Sequence, residues 1–437
     1  MFAKKKGLNL LAILVILLVT AGCGGAQSGT VETEEGVISL TMWDIPASEA
    51  YTSWWENYIN EFNESQENIN VKLEVFEIDA MRAKTLAALA SDTAPDILYS
   101  QPYPEIRRSY REGKLHSLNE YFDVELIDPH AKEIVSVDGD LVGVPIMIAP
   151  TMMYYNKAQF AEAGIDPQNW ANPQQPTWEE FTAAADALKA AGFTPVMLGN
   201  EPLFPGLMWY WSFHHRFGGY DDLTNAVSGE NGGSFSSPAF IRAGELVQEM
   251  VEREYFISGF NGIGEDTMYS GWANGEGAMI YMGLWILGSL ADAPADFEFG
   301  FFDFPSFSDG ATCCQRTTQG GVEGFWVPKT SQHPEAVAEF FQSFFTADVA
   351  KDYSEKSGYL SPIVGVVPEG INEDSPMIFQ VADYVRTGSE GLFSWYDHNM
   401  PAAVNEAQFS NIQALYTGDL APGDFAALLE QAAEKER

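Results

Sequence analysis

Residues 139–156 read GDLVGVPIMIAPTMMYYN, an apolar run rich in methionine and β-branched residues with Pro145 and Pro150 inside it. Eighteen residues this apolar, broken twice by proline, fit two buried strand segments joined by a bend. A bent, doubly buried segment in the middle of a long chain is a candidate crossing between two lobes.

The flanks support a layered α/β arrangement. Upstream, Val37 to Trp43 (VISLTMW) reads as a strand. Ala47 to Ser65 reads as a helix with Tyr51, Trp54, Trp55, Tyr58, Ile59 and Phe62 on its apolar face. Ile69 to Phe76 alternates as a strand, Met81 to Ala90 is an Ala-rich helix, and Pro95-Asp96-Ile97-Leu98-Tyr99 leads a further strand. This alternation predicts a parallel sheet covered by helices. Downstream, Thr177-Trp178-Glu179-Glu180 has the spacing of a capping box opening a helix to Ala191. A strand at Pro195–Leu198, an aromatic-rich stretch from Leu203 to Phe217 and a helix over Ser236–Glu254 follow. Met268 to Trp285 holds a helix and a strand, and Phe297 to Phe304 is strand-like. Gly310 to Glu323 reads as a polar loop before a strand at Gly324–Pro328, with helical periodicity dominating from Pro334 onward.

The chain has 437 residues, 46% hydrophobic and 13% aromatic, enough apolar surface for two or three lobes, which excludes intrinsic disorder. Its formal charge of −39 argues against nucleic acid and anionic membrane surfaces, because binding phosphates needs clustered Lys and Arg. At the N-terminus, Lys4, Lys5 and Lys6 precede an apolar run from Leu10 to Val19 and then Thr20-Ala21-Gly22-Cys23. That order describes a secretory signal over residues 1–22. The Cys after Ala-Gly resembles a lipobox, which would make Cys23 the lipidated mature terminus and the chain's only membrane attachment. Residues 23–36, small and acidic, read as a flexible tether. Adjacent Cys313 and Cys314 could close a vicinal disulfide in an oxidising compartment; two free thiols in a loop is the alternative.

Catalytic motifs are absent: no G-x-S-x-G, H-E-x-x-H, G-x-x-x-x-G-K-[ST] or G-x-G-x-x-G occurs. The histidines (His116, His130, His214, His215, His333 and His398) form no i,i+4 pair, so neither a metal site nor a His-based triad is expected; no cofactor is expected either. With 62 acidic residues a carboxylate pair is always available, which keeps a glycoside hydrolase as a reading from another class. The distinctive composition is eleven Trp and eighteen Tyr. Trp43, Tyr99, Trp209, Trp211, Trp285 and Trp395 sit beside strand ends or in loops, where flat apolar rings suit the C–H faces of sugars. Trp272, Trp326, Met152 and Met153 read as core.

The order of short motifs resembles the extracellular solute-binding proteins of ABC importers, in the branch with sugar-binding members. The matching blocks are Ala94-Pro95-Asp96-Ile97, Gly113-Lys114-Leu115 with Leu118, and Asp138-Gly139 through Gly143-Val144-Pro145 to Tyr154-Tyr155-Asn156-Lys157. Ala163-Gly164-Ile165, Thr177 to Phe181, and Asn274-Gly275-Glu276-Gly277-Ala278-Met279 with Gly283 and Trp285 complete them. The resemblance implies a two-lobed, periplasmic-binding-protein-like (Venus flytrap) α/β fold that closes on ligand by a hinge. Three interlobe crossings would lie near Pro145–Ala149, Phe304–Gly310 and Ala347–Leu360. One lobe would take residues 37–147 and 306–350, the other 148–305 and 351–437. It further implies no enzymatic activity, a monomer held outside the cytoplasm by its lipid, and delivery of a di- or oligosaccharide to permease subunits.

Candidate ligand contacts are placed on loops after strands, where open α/β sheets bind ligands: Trp43 and Asp44, and Tyr99 and Gln101; Trp209 is added from the aromatic-rich stretch. Glu201 before Pro202, Trp285 and Trp395 resemble sugar-contacting positions, and Gly320, Gly321 and Glu323 resemble a glycine-rich lip. Ala149 stands where maltodextrin-binding members carry an acid, which argues against maltodextrin. A polyamine or betaine-like solute is the alternative ligand that an acidic, aromatic cleft would suit.

Overall fold

The computed structural model describes residues 36–290 and 293–437. The expected signal segment, Cys23 and the tether up to residue 35 lie outside the described residues. The strands, in chain order, are β1 (Ile38–Asp44), β2 (Ile69–Val75), β3 (Ile97–Ser100), β4 (Ser136–Val137), β5 (Asp140–Leu141), β6 (Gly143–Asn156), β7 (Val196–Met197), β8 (Met279–Gly283), β9 (Phe299–Phe302), β10 (Thr318–Trp326) and β11 (Leu392–Ser394). They are ordered β2-β1-β3-β10-β6-β8-β7, with β9 added to β6 and β11 to β10. The β1–β2 and β1–β3 pairs are parallel, as the strand–helix alternation predicts.

The stretch 139–156 differs from its expected form. Residues 143–156 make one continuous strand, and the two prolines fall where the ladder can spare a donor. Pro145 sits at the bulge where β10 shifts register between Glu323 and Gly324. Pro150 sits where β6 changes partner: Gly143–Pro150 pairs with β10, and Thr151–Tyr155 pairs with β8. β6 therefore carries the sheet from one lobe to the other.

The second crossing is β10 itself, not Phe304–Gly310. Thr318–Gly320 pairs with β11 on one side of the molecule, and Gly324–Trp326 pairs with β3 on the other. Glycine and glutamine made residues 318–323 look like loop, yet every residue of β10 is buried. Phe304 and Phe307 instead pack into the second lobe against Trp209, Phe213 and Trp178. After the helix Ala347–Ser357 the chain is still in the first lobe, since Ile363 bridges Ile127. It joins the second lobe by the helix Met377–Thr387, whose Tyr384 hydroxyl donates to Asp303 at 3.0 Å.

Helix Glu49–Ser65 buries the expected face, Tyr51, Trp54, Trp55, Ile59 and Phe62, and is capped by Ser48. Trp55 meets Phe325 of the sheet edge-on and stacks on Phe344 of the helix Pro334–Phe344. In the second lobe the capping box of Thr177 and Glu180 forms as its spacing predicts. The aromatic stretch from residue 203 becomes the helix Phe204–Ser228, kinked at Gly219, where φ is 69°. Trp272, Trp326, Met152 and Met153 are fully buried, as expected. Among the described residues, no helix is long and apolar enough to cross a membrane.

Candidate functional site

Strand alternation sends Leu40, Met42 and Asp44 of β1 to one buried face and Trp43 to the other. Asp44 ends that face, and the helix that follows returns Tyr51 to it. The carboxylate accepts the Ile45 N–H at 2.8 Å and the Tyr51 hydroxyl at 3.0 Å. Tyr99, from β3, donates its hydroxyl to Glu323 Oε2, and Gln101 just beyond donates Nε2 to Glu323 Oε1 at 2.9 Å. Tyr103 in turn donates to the Gln101 side-chain carbonyl. β10 thus delivers Glu323 into a line of polar groups from the first lobe.

This line is short of water. Burial pushes the Asp44 carboxyl up to about 8, and the Glu323 charge adds to the effect. Burial also raises Glu323 against its hydrogen bonds to Tyr99 and Gln101. Arg82 is spoken for: it donates to both Glu105 oxygens, at 3.0 and 2.9 Å, and its guanidinium lies 3.8 Å above the Tyr103 ring.

The second lobe adds an aromatic wall. Trp395 lies edge-on to Trp285 with centroids 5.5 Å apart, and Phe204 is 5.8 Å from Trp395. Each indole is fixed through its N–H, Trp395 to Thr151 Oγ1 at 3.1 Å and Trp285 to the Tyr269 hydroxyl at 2.7 Å. His398 meets Trp395 edge-on at 5.3 Å, and Tyr103 of the first lobe meets His398 at 5.7 Å. The two lobes therefore touch through Tyr103 and His398.

Glycine at 321 is a requirement of this wall: a Cβ there would lie 2.0 Å from the Trp395 ring. Gly321→Ala is expected to displace the indole and lower stability by about 1–3 kcal/mol, the cost of overpacking a filled core. Urea unfolding with near-ultraviolet circular dichroism checks this. A variant with unchanged midpoint and aromatic spectrum would show that Trp395 does not lie over β10.

Seven sequence-predicted residues come together at the lobe boundary: Asp44, Tyr99, Gln101, Trp285, Gly321, Glu323 and Trp395. Three do not. Trp43 faces away from Asp44, its N–H on Glu74 at 3.1 Å and Lys84 Nζ 3.9 Å above its ring. Trp209 is core, enclosed by Phe213, Phe256, Tyr281 and Phe304, because the stretch around it coils into a helix instead of a loop. Glu201 is exposed in the turn before the helix Phe204–Ser228, and it is Phe204 that reaches the wall. Tyr103, Phe204, Tyr269, Asp397 and His398 lie at the same boundary and are not singled out by the sequence. Tyr103, Asp397 and His398 lie within three residues of Gln101 or Trp395, and that proximity was the available signal.

Cys313 and Cys314 are disulfide-bonded, and their sulfurs pack on the Gly219 kink, apart from the wall. Among the described residues, no group of three His, Cys, Asp or Glu side chains is placed to hold a metal ion.

Two α/β lobes sharing β6 and β10, with polar and aromatic side chains meeting between them, define a two-lobed solute-binding protein. Residues 46–351 match the bacterial extracellular solute-binding protein family, and the chain belongs to it. Its place is accordingly extracytoplasmic. An uncharacterized ABC transporter extracellular-binding protein of Pyrococcus horikoshii is 24% identical over 82% of each chain. The sn-glycerol-3-phosphate-binding periplasmic protein of Yersinia pseudotuberculosis is 29% identical, with the match covering 52% of this chain and 49% of that one. Among solved structures, a chitin oligosaccharide binding protein superposes with a TM-score of 0.80 at 21% identity, over 91% of this chain and 98% of its own.

Proposed function

We propose that this protein binds a neutral di- or oligosaccharide between its lobes and delivers it to the permease of an ABC importer, without catalysing any reaction on it. The observation that carries the reading is the pairing of the Trp285–Trp395 wall with the Gln101–Glu323 line. Apolar rings cover the C–H faces of a sugar while an amide and a carboxylate take its hydroxyls. Similarity to a chitin oligosaccharide binding protein agrees with it. The glycerol-phosphate relative points elsewhere; guanidinium groups commonly bind phosphate, and the two near the lobe boundary are already engaged. Arg82 is paired with Glu105, and Arg107 is turned to the carbonyls of Pro102 and Ile134. On this reading the protein works as a monomer, held at the membrane through lipid on Cys23, with hinge closure about β6 and β10.

A thermal-shift screen tests the ligand class, with chitobiose, xylotriose, maltotriose, raffinose, glycerol 3-phosphate, spermidine and glycine betaine as probes. A neutral sugar at a hundred times its Kd is expected to stabilise the protein by about 2.7 kcal/mol. Trp285→Ala should then weaken that sugar about 30-fold while leaving the unliganded melting temperature within a few degrees, because its ring is only partly buried. A shift with spermidine or glycerol 3-phosphate alone would overturn the carbohydrate reading. Sugar hydrolysis products would overturn binding without chemistry.

A further inference from the structure

His398 ends the short turn Tyr396–His398 that follows Trp395. It is 1% exposed, and neither ring nitrogen has a hydrogen-bond partner among the described residues. Its neighbour Asp397, 5% exposed, leaves Oδ1 equally without a partner. Buried polar atoms are nearly always satisfied, so three unused ones on adjacent residues at the lobe boundary call for a partner. Glu323 does not supply it: its Oε1 is 4.0 Å from His398 Nε2, beyond hydrogen-bond reach.

The chemistry of these atoms restricts what could satisfy them. Burial, with the Arg107 and Arg82 charges behind it, pushes the imidazole down to about 3, so the ring is neutral and offers one donor and one acceptor. Burial pushes the Asp397 carboxyl up to about 7, so at pH 8 it adds an acceptor. An ammonium group has nothing to accept from the ring N–H, and a phosphate dianion has nothing to donate to the other two atoms. Hydroxyl groups both donate and accept. We propose that His398 and Asp397 form a specificity subsite that reads two adjacent hydroxyls of one sugar ring, with Trp395 against that ring's C–H face. This rests on the carbohydrate reading and adds to it the residues that choose among sugars.

The test is calorimetric titration at pH 8 of whichever probe sugar stabilises the wild type most. His398→Ala is expected to bind it about 30-fold more weakly, the loss of two hydrogen bonds, whereas His398→Gln, keeping a donor and an acceptor, should stay within about fivefold. Asp397→Asn should lose about tenfold and covers the case in which His398→Ala fails to fold. A deoxy analogue lacking one of the two hydroxyls should bind the wild type weakly but lose little further in His398→Ala, as coupled partners must. Sugar binding within twofold of wild type in folded His398→Ala, or in Asp397→Asn, overturns the subsite and leaves the carbohydrate reading standing. A wild type that binds none of the sugars overturns both.

Discussion

Arg216→Met is expected to lower the unfolding free energy by about 4 kcal/mol. The guanidinium is completely buried and donates to four main-chain carbonyls. Nε reaches Pro305 at 3.0 Å, Nη1 reaches Cys314 at 2.7 Å and Thr317 at 2.9 Å, and Nη2 reaches Phe304 at 3.1 Å. Methionine nearly matches its length and apolar stem, so packing survives while four acceptors lose their donor. Each buried carbonyl left unpaired costs about 1–3 kcal/mol, and some relax toward other partners. The buried Asp303 also loses the opposite charge that opposes its desolvation. Arg216→Lys should recover little, because a point charge cannot span four acceptors. Since residues 305–317 feed directly into β10, the Gly321–Glu323 segment should loosen with the loss of stability. Urea unfolding at pH 7 decides it; a loss below 1 kcal/mol would mean that the loop is held by other contacts.

The second large effect is on pH dependence. Asp44 is raised from 3.8 to about 8 and Asp397 from 3.8 to about 7, so the folded protein holds protons that the unfolded chain releases. Over that window the unfolded state binds fewer protons, and stability falls as pH rises. Asp44 alone contributes a slope of up to about −1.4 kcal/mol per pH unit between roughly pH 4 and 8. Asp222, partnered by His214 and Ser237, is lowered and acts in the opposite sense, but only below its ordinary value near 3.8. Asp44→Asn keeps the acceptor for Ile45 and Tyr51 and removes the titration. The variant should have a visibly flatter stability profile and should exceed wild type at pH 8 by a few kcal/mol. Urea midpoints of ligand-free protein from pH 5 to 9 check it. Parallel profiles for variant and wild type would show that Asp44 is not the group taking up the proton.

Much of the candidate site was legible because open sheets present ligand-facing loops at strand ends and strand ends have short-range signals. Asp44 follows a β-rich run and Tyr99 and Gln101 follow a Pro-Asp-Ile strand; in the fold Tyr99 and Gln101 bond Glu323, whose charge Asp44 feels. Two of the predicted residues that lie away from this boundary, Trp43 and Trp209, are placed by side-chain direction and by helix formation. Trp43 and Asp44 are adjacent, so a period-2 strand must send them to opposite faces, and only the packing of helix Glu49–Ser65 decides which face is buried. Trp209 reads as a loop aromatic until the helix Phe204–Ser228 forms around it, after which it can only be core.

By itself the sequence determined the architecture: the alternation of strands and amphipathic helices, the capping box at Thr177 and the apolar run through 143–156. These are properties of periodicity and composition, carried by neighbouring residues. Only the tertiary structure decided that Pro150 marks a change of partner instead of a bend, that the glycine-rich stretch from Thr318 is a buried strand, and that His398 faces Tyr103 across the lobe boundary. Each joins residues far apart in the chain, and such pairings are settled by which surfaces exclude water together, a quantity that local spacing does not contain.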